Sequence, residues 1–122
     1  MQKVALVARY LLALMMIVFG LNKFIGFMSF PEMQGFAAEY MKVMGGSYIM
    51  PSIGVIYLIA AAMLLLNRAV GLATVLLAPI AYNALMFHLT LDPENIAGAA
   101  IFVVLLVLVM IGNASKYRSL LT

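Results

Sequence analysis

The chain has 122 residues, 67% of them hydrophobic and only 9% charged, which makes one domain (residues 1–122) at most, with no room for a soluble domain. Its net charge of +3 is carried by scattered basic residues rather than a patch, which excludes nucleic-acid binding. No cysteine and a single histidine exclude thiol chemistry, iron–sulfur clusters and paired-histidine haem ligation within the chain.

The first apolar run covers residues 4–21, close to the roughly 20 residues that span a hydrocarbon layer. Lys3 and Arg9 precede or enter it as in a signal peptide. The core is not followed by a small-x-small cleavage site and passes into Gly20-Leu21-Asn22-Lys23, so it reads as a retained span. Arg9 is expected to snorkel to the headgroups on that side. Asn22 and Lys23 close the span at its far end.

The next segment is the one long connection. Ser29-Phe30-Pro31-Glu32 has capping-box spacing and Gly45-Gly46 ends the run, which predicts a helix over 30–44. Phe30, Met33, Ala37, Tyr40, Met41 and Met44 form an apolar stripe on it, and Glu32, Gly35, Glu39 and Lys42 a polar one. Such a helix is expected to lie flat on the outer membrane surface in preference to folding over the bundle as a lid. Met28, Met33, Met41, Met44 and Met50 fall in or beside this segment. Thioethers suit Cu(I), but Met is more commonly flexible apolar filler, and no metal site is expected.

Span two is expected over 47–66, with Pro51 harmless in its first turn and Gly54, Ala60, Ala61 and Ala62 permitting close helix approach. Asn67-Arg68 is a tight inner turn, so span three, over 69–89, returns beside it. Gly71 and Ala78 are its small residues. Pro79 interrupts it and frees the carbonyl of Val75, which Thr74, a neighbouring helix or water is expected to satisfy. Asn83 and His88 follow, some 140° apart at about 100° per residue. Asn83 is thus placed in the interior and His88 at the outer mouth. Asp92-Pro93-Glu94-Asn95 then starts span four, over 96–112: Asp92 as N-cap, Pro93 at the first position, Glu94 at the positive dipole end. Ala97, Gly98, Ala99 and Ala100 are again small.

Lys3, Arg9, Arg68, Lys116 and Arg118 fall on one side with no acid, and Lys23, Lys42, Glu32, Glu39, Asp92 and Glu94 on the other. Positive charge favours the cytoplasm, so both termini are expected inside. The expected fold is all-α: an antiparallel four-helix transmembrane bundle with an extra amphipathic interfacial helix between spans one and two. Lys23, Asn83 and His88, with Asn22 and Glu39, are the candidate lining of a cavity open to the outer side. Lys, Asn and His offer donors to carbonyls, and His can titrate, so a quinone suits such a cavity.

Two stretches carry a family resemblance: Gly20-Leu21-Asn22-Lys23-Phe24-Ile25-Gly26-Phe27, and Leu77-Ala78-Pro79-Ile80-Ala81-Tyr82-Asn83-Ala84-Leu85-Met86-Phe87-His88-Leu89 followed by Asp92-Pro93. With four spans and the Asn67-Arg68 turn, the chain resembles the DoxX/DoxD-like family of small membrane proteins over almost its whole length. That family is named for a subunit of a quinol-linked oxidoreductase, and other relatives act in oxidative-stress complexes or as receptors and chaperones for membrane proteins. The resemblance implies the fold more firmly than an activity. Two readings follow. One is an accessory subunit of a redox system in the inner cell membrane, binding a quinone for a partner that holds the redox centre. The other is a non-catalytic subunit that assembles or stabilises another membrane protein or a homo-oligomer. A lipid or small-solute carrier is a distant third.

Overall fold

The computed structural model describes residues 2–29 and 32–122, and all regular structure among them is helical. The α-helices are α1 (Gln2–Ile25), α2 (Gly35–Gly45), α3 (Ile49–Leu66), α4 (Val70–Leu91), α5 (Ala97–Gly112) and α6 (Arg118–Leu121). Short 3-10 turns, Pro93–Asn95 and Ala114–Tyr117, flank α5.

α1, α3 and α4 are each long and apolar enough to cross a membrane. The 16 residues of α5 reach only about 24 Å at 1.5 Å per residue, against a hydrocarbon core of about 30 Å. α5 passes the same test only when counted with Ala114–Leu121, which is bent 86° away from it. These helices carry apolar side chains on both faces. Leu12, Leu64, Leu77 and Val109 are buried, while Leu14, Ile59, Leu72 and Val104 project outward. A helix apolar all round belongs in a hydrocarbon solvent, the signature of a membrane protein.

α1 packs on α3 and α5, and α4 packs on the same two, closing a ring of four. Contacts at the ends set the directions. Arg9 near the start of α1 reaches Leu64 near the end of α3, and a Cβ placed on Gly112 at the end of α5 would run into Ala5. At the other end, a Cβ on Gly54 would lie 2.8 Å from Phe24 and 3.2 Å from Lys23. α1 therefore runs antiparallel to α3 and α5. Gly54, Ala60 and Ala61 are buried in this seam as their size suggested, whereas Ala62 is exposed.

The α3–α4 connection shows why so short a turn works. Asn67 takes the left-handed conformation at φ 52°, its N–H donating to the carbonyl of Leu64 and that of Arg68 to Met63. This is the Schellman arrangement, with Asn in the position glycine usually fills. Arg68 itself is exposed.

Four local expectations are corrected. Arg9 does not reach for solvent: it is 8% exposed, donates to the Leu64 carbonyl and stacks 4.6 Å from the Tyr10 ring. The carbonyl end of α3 carries partial negative charge, which suits a cation there. The outer helix starts at Gly35 rather than residue 30, and Gln34 precedes it without a side-chain cap. Glu32 lies before the helix, so the capping box does not start it; Phe30 and Pro31 lie outside the described residues. Gly35 has φ +64°, a conformation that sets the entry into α2 and that glycine tolerates. Asp92 makes no side-chain cap, and α5 begins at Ala97 after the 3-10 turn. α4 runs unbroken through Pro79, and Thr74 donates to Gly71 rather than to Val75. The Thr74 hydroxyl then has only lone pairs left, so Tyr117 must be the donor in the 2.5 Å contact between them. That bond pins the bent C-terminal segment under the start of α4.

Candidate functional site

At the end of the ring away from both termini lies a cavity of about 440 Å³. Its size falls within the usual range for small-molecule sites. Its walls are apolar: Met15, Met16, Met33, Met41, Met44 and Met50 contribute six thioethers, joined by Phe19, Phe87 and Phe102. Thioether side chains adapt to irregular shapes, so these walls can follow a flexible hydrocarbon ligand.

Polar groups enter this lining from five elements. Lys23 comes from the last turn of α1, where the close approach allowed by Gly54 holds it against α3. Its Nζ stands 5.2 Å from the centroid of the Tyr57 ring. Such a cation–π contact leaves the ammonium's three donors available. The only contact between a basic and an acidic side chain among the described residues is His88–Asp92, so no acid pairs with Lys23 there. Tyr57 in turn meets Phe102 edge to face at 5.8 Å.

α2 closes over the cavity. Met33, just before it, and Tyr40, Met41 and Met44 on it all line the space, and Ala37 is its one buried residue. Tyr40 stacks on Phe87 with ring centroids 4.7 Å apart and accepts a 2.6 Å hydrogen bond from Asn83 Nδ2. The expectation that this segment lies flat, clear of the bundle, is therefore corrected. The described residues of the predicted apolar stripe, Met33, Ala37, Tyr40, Met41 and Met44, turn to the cavity or the bundle, and Phe30 lies outside the described residues. Glu39 and Lys42 are exposed on its other sides, as are Phe36 and Val43, and Glu32 is exposed just before it.

His88 occupies the cavity lining near the end of α4. Its Nδ1 lies 3.2 Å from the Asp92 backbone oxygen and 3.4 Å from Asp92 Oδ2. Asn95 Nδ2 donates to both carboxylate oxygens, at 3.0 and 3.1 Å. Asp92 is thus an orienting partner of His88, one helical turn away, in place of the cap expected of it. Glu94 and Asn95, in the 3-10 turn after Pro93, reach the same lining.

Of the residues expected here, Lys23, Asn83 and His88 line one cavity. Asn83 is exposed at its edge rather than deep inside, because α2 meets α4 there. Asn22 serves the backbone: its Oδ1 accepts the N–H of Met28, holding the chain as it leaves α1. Glu39 faces outward, and its neighbour Tyr40 takes the inward position. Sequence reasoning missed Tyr57 and the role of Asp92. The second was signalled by the four-residue spacing of His88 and Asp92, which places them on one helix face.

No group of histidine or acidic side chains among the described residues is arranged to hold a metal ion. Comparison of the chain with protein-family models, curated proteins and solved structures found no match in any of the three.

Proposed function

We propose that this is a four-span, DoxX-like protein of the inner cell membrane, with both termini in the cytoplasm, whose cavity binds a lipophilic ligand with a polar head. A quinone suits it best, and the protein then serves as an accessory subunit to a partner that carries the redox centre. The observation that supports this reading is the cavity itself: methionine and aromatic walls, with Lys23, Asn83 and His88 at one end of the molecule. Ring and tail find apolar surface there, and polar substituents find hydrogen-bonding groups. The basic residues at the opposite end support the orientation. α5 and its bent continuation make the fourth span in this reading, and α2 lies at the outer surface.

The test is extraction of the protein, purified in mild detergent, with organic solvent. A stoichiometric quinone, lost in His88→Ala and Asn83→Leu, is the expected result. A quinone-free protein that reproducibly brings down one membrane partner would sink it.

That second outcome defines the other reading, a non-catalytic assembly or stabilising subunit. Phe36, Val43 and Tyr48 favour it, being large apolar or aromatic residues left exposed on and just after α2, where a partner can cover them.

A further inference from the structure

His88 Nδ1 faces two oxygens of Asp92, a backbone carbonyl and a carboxylate, and neither can donate a hydrogen bond. Nδ1 must therefore carry the hydrogen. The carboxylate cannot readily swing away, because the Asn95 amide holds both its oxygens. A neutral imidazole has one N–H, so Nε2 is left with a lone pair.

Nε2 meets no protein partner among the described residues, and no buried side-chain polar atom there lacks one. That nitrogen is therefore accessible, on a residue that lines the cavity. The polar groups around the same space are Lys23 from α1, Tyr40 from α2, Tyr57 from α3, Asn83 from α4, and Glu94 and Asn95 from the 3-10 turn. Lys23 only donates, while Asn83 and Asn95 have spent an N–H on Tyr40 and Asp92 and keep their carbonyl oxygens. The two tyrosine hydroxyls can also accept, and Glu94 is the charged acceptor.

We propose that Asp92 is a positioning residue that locks His88 in the Nδ1–H form, so that the cavity selects amphiphiles with a hydroxyl head, donated to His88 Nε2. A head bearing only carbonyl or ether oxygens meets a lone pair at that position and is disfavoured. The inference rests on the cavity taking a lipophilic ligand and narrows its chemistry: for a quinone couple, the dihydroxy form is the preferred one.

The experiment uses the intact protein in detergent, at an alkaline pH set by titrating until the nitrogen spectrum shows a neutral ring. The probes are a long-chain 4-alkylphenol and its methyl ether, which differ by the donor alone. Nitrogen NMR of the histidine-labelled protein gives one pair of signals, since His88 is the only histidine. Expected are an Nδ1–H tautomer without ligand, and phenol binding about tenfold tighter than the ether, the worth of one hydrogen bond. In Asp92→Asn, whose amide can donate to Nδ1, the Nε2–H form gains population and the preference falls below about threefold.

An Nε2–H tautomer in the unmutated protein overturns the proposal, as does equal binding of the two probes. A preference that persists in Asp92→Asn belongs to another acceptor of the lining, such as Glu94 or Asn83, and overturns it too. Binding of an alkylbenzoquinone but not of the phenol overturns it while leaving the quinone reading intact. Failure of all three probes overturns both.

Discussion

Tyr40 and Asn83 lie 43 residues apart in sequence and 2.6 Å apart in space, and their hydrogen bond is what fastens α2 to α4. The same tyrosine ring leans on Phe87, so one residue supplies both an apolar and a polar contact to the helix that carries His88. α2 has few other attachments, since it meets only α3 and α4 to any extent. A short helix held by so few contacts belongs to the least stable part of the molecule, so it is where the cavity opens most readily.

Tyr40→Phe keeps the ring contact and removes the bond. At about 0.5–1.5 kcal/mol for a neutral hydrogen bond, α2 should open roughly two- to tenfold more often. The chain has no cysteine, so Ala37→Cys introduces a single thiol at the one buried position of α2. Its maleimide labelling is expected to accelerate by that factor in the Tyr40→Phe background. An unchanged rate means the bond does not hold the helix.

The long apolar runs were legible because a bilayer leaves few alternatives: every backbone group must be satisfied within a helix, so length and hydropathy nearly decide the element. Asn67-Arg68 was legible as a turn because few residues besides glycine and asparagine take the left-handed position. Asp92 was misread because two local roles competed. An aspartate before proline fits a cap, yet it also stands four residues after a histidine, and the side-chain pair won. The stripes themselves were legible, with Tyr40 on the apolar side of α2 and Glu39 one step of about 100° away on the polar side. Naming Glu39 for the cavity went against that pattern, and the pattern held. Tyr57 gave no signal, since an aromatic on an apolar helix usually means core.

Gly54 bears on the site through Lys23. A side chain there meets Phe24 and Lys23 at less than ordinary contact distance, and both belong to the last turn of α1. Gly54→Val is expected to push that turn away, lowering stability by about 1–3 kcal/mol and reducing ligand retention. Thermal unfolding in detergent and solvent extraction check the two effects. Full stability would mean the helices part at no cost and that the contact is unimportant.

At the opposite end, Arg9 offers a test of stability without touching the cavity. Its guanidinium bond to the Leu64 carbonyl is charge-assisted, and its removal in Arg9→Ala also leaves space beside buried Leu12 and Ala13. A loss of roughly 1.5–3 kcal/mol follows from the bond alone. Ligand content per folded molecule should not change. If Arg9→Ala empties the cavity while the fold survives, the two ends are coupled in a way this packing does not explain.

The most direct test of the cavity avoids every polar group. Gly98 lines it, and a Cβ built there meets nothing within 4 Å. Gly98→Phe therefore adds a ring at the cavity's edge without pressing on a neighbouring backbone, and replacing glycine near a helix start does not weaken the helix. A xenon-accessibility measurement checks that the ring narrows the space. Stability is expected to stay within about 1 kcal/mol of the parent, while bound lipophilic ligand falls at least several-fold. Gly98→Ala, which adds only the tolerated carbon, should retain it. Because Lys23, Asn83 and His88 are intact in both variants, a loss confined to Gly98→Phe can only mean that the ligand occupies this space. Undiminished ligand in a folded Gly98→Phe protein would place it elsewhere on the molecule.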